Sequence, residues 1–160
     1  MPFRSPVVVL LVQVDVGSRE LYAAFLRCHG FLPISVRTAS EGLTVAPHAD
    51  VIVTETLLPG RIDGIELIAR LKSGERTRTI PVIVLTVCAW PAERERAEQA
   101  GCDVFLAQPC LPDALLREVH RVLAPSHSRD VHDTATTGNL PNEAANSRRL
   151  AADPTRLKRR

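Results

Sequence analysis

Apolar positions along this chain follow two rhythms that take turns. Pro6 to Val14 is a nearly uncharged Val/Leu run, and Val51-Ile52-Val53 and Ile80 to Leu85 repeat its texture. Unbroken aliphatic runs of this length read as strands buried on both faces. Ile34 to Thr38 alternates instead, as a half-exposed edge strand does, and Val104-Phe105-Leu106 makes a short fifth strand. Between these runs the spacing widens to the helical period. Ser18 is a candidate N-cap for a helix through Leu21, Tyr22, Phe25 and Leu26, which Gly30 stops. Ser40 opens a short helix ending near Pro47, weakened by Gly42 and Thr44. Asp63, with Glu66 three residues on, caps a helix reaching Ser73 that turns Ile65, Leu67, Ile68 and Leu71 inward. Pro91 starts a fourth helix that Gly101 closes. Pro112 and Asp113 open a fifth, with Leu115, Leu116, Val119 and Leu123 inward. Five strands in strict alternation with five helices predict an α/β fold: a three-layer (α/β/α), doubly wound parallel sheet with right-handed crossovers.

Past Leu123 the periodicity collapses. The expected domain is therefore 5–124, followed by a disordered basic tail over 125–160. Charge divides at the same place: 13 Lys/Arg face 14 Asp/Glu in the first 125 residues, and seven face four after them. The overall charge of +2 is thus a property of the tail, too small to call for a nucleic-acid partner. The closing RLKRR reads as a solvated terminus. No apolar run approaches the ~20 residues of a membrane span, and Gln13 and Asp15 interrupt the first before a secretory segment forms. Four cysteines without CxxC spacing fit a reduced, cytoplasmic protein that uses them as small core hydrophobes. The sharper alternative is a redox pair of Cys88 and Cys110, both expected in loops at one sheet edge. The 37 residues after Leu123 are too few for a DNA-binding domain with its own core, so a stand-alone chain is expected.

Candidate chemistry centres on Asp50 to Gly64. Glu55 stands at the carboxyl end of the third strand, where open parallel sheets place their ligands. No G-x-S-x-G elbow, Gly-rich phosphate loop, Walker lysine or Cys–His pairing accompanies it, which argues against an enzyme.

The carboxylate after strand three, Leu58-Pro59-Gly60, Asp63-Gly64, Leu85-Thr86 and the run from Ala100 to Pro109 form an ordered set. Over Pro6 to Leu123 that set resembles the response-regulator receiver domain. The resemblance implies a flavodoxin-like sheet of order 2-1-3-4-5. It also implies a phosphorelay role, in which an aspartate takes a phosphoryl group from a histidine kinase beside a bound Mg²⁺. Laid on this sequence, the acid pair that would hold the metal falls on Gln13 and Val14, with Asp15 next to them. The phosphoacceptor position falls on Glu55, the switch hydroxyl on Thr86, the switch aromatic on Phe105 and the lysine position on Gln108. The loop from Glu55 to Gly64 is one residue longer than the common family pattern.

The charges decide between two readings. An intact pocket has three carboxylates and a lysine; this one keeps Glu55, has Asp15 nearby, and lacks the lysine. Mg²⁺ dehydrates reluctantly and is poorly held by one carboxylate and an amide, so no cofactor is expected. Unneutralised charge on a transferring phosphoryl removes the dominant catalytic contribution. The first reading is a pseudo-receiver: a phosphorylation-independent interaction module that is not an enzyme. The second is a phosphorylatable receiver with a non-standard metal and acceptor site using Asp15 and Glu55. The resemblance implies a protein partner (a sensor kinase, a downstream regulator or a second copy) meeting the face made by the fourth helix, fifth strand and fifth helix, around Phe105, Leu111, Leu115 and Trp90.

Overall fold

The computed structural model describes residues 5–125; the tail expected over 125–160 lies outside the described residues except for Pro125. Strands β1 (Val8–Val12), β2 (Leu32–Val36), β3 (Val51–Thr54), β4 (Val82–Thr86) and β5 (Val104–Ala107) alternate with five helices. These are α1 (Val16–Cys28), α2 (Ala39–Val45), α3 (Gly64–Ser73), α4 (Pro91–Ala100) and α5 (Pro112–Leu123), with a 3₁₀ turn, Ala46–His48, before β3. The sheet runs β2-β1-β3-β4-β5, every pair parallel. This is the flavodoxin-like order, and its reversal at β1/β3 opens a crevice at the carboxyl ends of those two strands.

The aliphatic runs behave as strands buried on both faces. Leu10, Val12, Ile52, Val82 and Val84 meet Leu67, Ile68 and Leu71 of α3 and Ala97 of α4. Their neighbours Val9, Leu11, Val51, Val53, Ile83 and Leu85 turn the other way, onto Tyr22 and Leu26 of α1 and Leu115 and Val119 of α5. The two-residue side-chain period thus supplies two cores from one set of runs.

Several element ends differ from the expected ones, for local reasons. β1 stops at Val12, so the cap of α1 is Asp15, whose carboxylate accepts the Ser18 N–H; Ser18 lies inside the helix. Thr38, not Ser40, caps α2 through a reciprocal box with Glu41. β2 lies two residues earlier than its alternation suggested, because Val8 pairs with Leu32. Asp63, Pro91 and Gly101 take their expected places; Gly101 closes α4 at φ 108, left-handed backbone that favours glycine.

Candidate functional site

Glu55 follows β3 directly, and its N–H bonds to the Val12 carbonyl at 3.1 Å, fixing it beside the end of β1. The side chain then turns back to the β1–α1 loop: Oε1 accepts the Val14 N–H at 3.1 Å. Burial raises the Glu55 pKa and the Asp15 charge adds to the rise, against the Val14 and Asp15 amides and Arg19, which lower it. Folded protein therefore holds this proton more tightly than unfolded chain, a stabilisation present at low pH and lost as pH rises through the folded pKa. Glu55→Gln keeps an acceptor for Val14 but cannot ionise. It is expected to melt at a higher temperature than the parent at pH 7, with the gap closing as pH falls below about 4. Calorimetry at both values checks this.

The positions mapped to the acid pair have other duties. Gln13 is fully buried; its Nε2 reaches across the end of β3 to donate to the Leu85 carbonyl at 3.3 Å, and its Oε1 has no partner among the described residues. Val14 packs against the α3 side of the core. Asp15 is exposed, and its bond from the Ser18 N–H at 2.7 Å is the first cause holding its carboxyl below the usual range. Arg19 braces the same loop by donating to the Gln13 carbonyl at 2.8 Å.

Thr86 ends β4 with its side chain buried. Its hydroxyl lies 3.0 Å from the hydroxyl of Thr56, also buried, and accepts the Cys88 N–H at 3.1 Å. Sequence reasoning passed over Thr56. Its one visible mark was a hydroxyl set between Glu55 and the aliphatic Leu57-Leu58. Gly64 closes the loop by donating its N–H to the Thr56 carbonyl at 2.8 Å.

Gln108 donates its N–H to the Thr86 carbonyl at 2.8 Å and precedes a cis bond to Pro109. With Asp15, Leu21, Tyr22 and Val87 it lines an open cleft of about 440 Å³. Tyr22, also missed from sequence, holds the β5–α5 loop through its hydroxyl, which donates to the Cys110 carbonyl at 2.8 Å. Cys88 and Cys110 are free thiols, as are Cys28 and Cys102.

On the other side of the edge, Phe105 is half-buried with the Arg94 guanidinium 5.6 Å above its ring, a cation–π distance. Trp90 and Leu111, the caps of α4 and α5, are 72% and 73% exposed. Leu115 does not belong with them. At 1% exposure it packs in the α1/α5 core on the inward face of α5 with Val119, whereas Leu111 is the N-cap in extended backbone and stands outside that face.

A family model for the response regulator receiver domain matches residues 9–120. A curated relative, the response regulator Rre1 of a Synechocystis species, is 30% identical over 75% of this chain, which spans 53% of that protein's length. The polar-differentiation response regulator DivK of Brucella ovis is 31% identical over 63% of the chain and 83% of its own. Among solved structures, a putative response regulator from Chloroflexus aurantiacus superposes with a TM-score of 0.71 at 28% identity, covering 76% of this chain and all of that one. A Pseudomonas aeruginosa sensor-kinase receiver domain, whose structure has magnesium coordinated in its active-site cleft, gives 0.69 at 27% identity over 76% of this chain and all of that one.

Proposed function

Because this chain belongs to the response-regulator receiver family of two-component signalling, we propose that it is a pseudo-receiver, an interaction module whose state does not depend on phosphoryl transfer. The observation that carries the reading is the direction of Glu55, whose Oε1 turns back onto the Val14 N–H. Around it stand an aliphatic side chain at Val14 and a buried amide at Gln13, and the lysine position holds Gln108. A hard dication takes six oxygen ligands with carboxylates among them, and this donor set offers one carboxylate already engaged and one, Asp15, engaged in capping a helix. The family's Mg²⁺ does not fit these residues. With neither metal nor lysine, nothing neutralises an incoming phosphoryl dianion.

The module's output is a protein contact on the α4–β5–α5 face, centred on Phe105 with Trp90 and Leu111 at its upper rim; the partner class is a sensor kinase, a downstream regulator or a second copy. Free thiols at all four cysteines suit a reducing cytoplasm.

Trp90 is the only tryptophan and stands four residues past Thr86, so its emission reports on this edge. Titration with Mg²⁺, then with Mg²⁺ plus beryllofluoride, is expected to leave that emission flat, and acetyl phosphate to add no phosphoryl mass to the intact protein. A saturable response that Asp15→Ala abolishes would overturn the reading in favour of a metal site built on Asp15 and Glu55.

A further inference from the structure

Four hydrogen bonds converge on two threonines at the carboxyl edge of the sheet. Thr56 accepts the Gly64 N–H through its carbonyl, at the start of α3. Its hydroxyl pairs with that of Thr86 at 3.0 Å, thirty residues away in sequence and out of contact with solvent. The Thr86 hydroxyl also takes the Cys88 N–H at 3.1 Å, and its carbonyl takes the Gln108 N–H at 2.8 Å. The buried hydroxyl pair thereby ties the β3–α3 loop to the β4–α4 loop, while the backbone carbonyls of the same two threonines hold the start of α3 and the β5–α5 loop. Glu55 lies next to Thr56 in sequence but has no part in the network; its carboxylate faces the opposite loop.

We propose that Thr56 is a positioning residue: it supplies from within the chain the hydrogen-bond partner that holds the Thr86 hydroxyl inward, and so fixes the β4–α4 loop and the start of α4 in one arrangement. The proposal deepens the pseudo-receiver reading and rests on it for its meaning in signalling. Physically it follows from burial. A hydroxyl excluded from water cannot exchange a lost partner for solvent, so a Thr86 hydroxyl left with only the Cys88 N–H, and no side-chain hydroxyl beside it, would favour another rotamer. Threonine χ1 moves in discrete steps, so that rotation would carry the oxygen away from the Cys88 N–H altogether. Trp90, two residues beyond Cys88, would then move with the loop.

The test is amide hydrogen exchange by NMR on the full chain, in chelator and without any phosphoryl donor, alongside Trp90 emission. Thr56→Val removes the hydroxyl at nearly constant shape, and Thr56→Ser restores it. Thr56→Val is expected to speed exchange at the Cys88 amide about tenfold, the scale of one buried hydrogen bond left unmade, and to shift Trp90 emission. Thr56→Ser is expected to match the parent in both. Exchange at Leu11 and Ile83 in the central strands should not change. Three results overturn the proposal: an unchanged Cys88 amide in Thr56→Val, a serine variant that behaves like the valine one, or equal acceleration at Leu11 and Ile83. None of them depends on whether Glu55 accepts a phosphoryl group, so failure here is distinguishable from failure of the pseudo-receiver reading.

Discussion

Gly64→Ala is expected to destabilise the domain by about 3 kcal/mol or more, lowering Tm by about 10 °C or more in a chain of this size. A Cβ built on Gly64 falls 1.8 Å from the Glu55 carbonyl oxygen and 2.7 Å from Thr56 Cα. Both obstacles are backbone, so no side-chain rotation relieves them. The contact arises because α3 starts directly against the end of β3, where the Gly64 N–H bonds to the Thr56 carbonyl at 2.8 Å. Accommodating a methyl means pushing the first turn of α3 off the sheet. That would break this hydrogen bond and strain the loop that presents Glu55. Differential scanning calorimetry of the purified variant reads the effect directly. A Tm within a degree or two of the parent would mean that the loop yields far more easily than its packing implies. Gly60→Ala is the contrasting control, since a Cβ there meets nothing within 4 Å. Its φ of 106 still charges a small strain, on the order of 1 kcal/mol.

Much of this architecture was legible in the sequence because hydrophobic runs and helical spacing speak about one element at a time. Val51-Ile52-Val53 can only satisfy both faces inside a sheet, and it lies there at zero exposure. The caps were harder. Asp15 and Ser18, or Thr38 and Ser40, are all good capping types, and the choice between them is set by where the preceding strand lets go. For α2 the decisive clue was present: Glu41 is three residues after Thr38 and completes the box. At the site, the uncharged side chains of Gln13, Val14 and Gln108 could be read from the sequence directly. The direction of Glu55 could not, because it depends on the Val14 amide, 41 residues away in sequence. The Thr56–Thr86 pair is hidden for the same reason. Leu115 shows the opposite failure, where sequence nearness to Leu111 suggested a shared surface although the helical period had already turned it inward.

These observations also divide the edge into two halves with different jobs. On the β1 side, Asp15, Arg19 and Glu55 satisfy backbone groups of a tight loop and leave Gln13 sealed beneath them. On the β4 side, the hydroxyl pair ties the β3–α3 loop to the β4–α4 loop next to exposed Val87 and Trp90. On the pseudo-receiver reading proposed above, the β1 half serves as structural support and the half nearest α4 shapes the docking face.

Gln13→Asp puts that division to its hardest test, and is expected to cost about 3 kcal/mol or more at pH 7. Gln13 is at 0% exposure, and its amide donates to the Leu85 carbonyl. A carboxylate there has no N–H to offer and would face the Leu85 carbonyl oxygen in a site closed to water. The new group would ionise only with difficulty when folded, so its pKa would rise above the unfolded value near 4. The penalty is then partial at pH 4, where the carboxyl is neutral, and grows as pH rises through the folded pKa. Urea unfolding at pH 4 and pH 7 should show that slope. Adding Val14→Asp, Glu55→Asp and Gln108→Lys changes the sign of the argument, because clustered carboxylates then face a cation site and a lysine. In that fourfold variant millimolar Mg²⁺ is expected to raise stability at pH 7, by the linkage that any ligand of the folded state obeys. The parent is expected to gain nothing from the same addition. Equal stabilisation of parent and variant by Mg²⁺ would mean that the native residues hold the ion after all, and that the inward turn of Glu55 is no barrier to it.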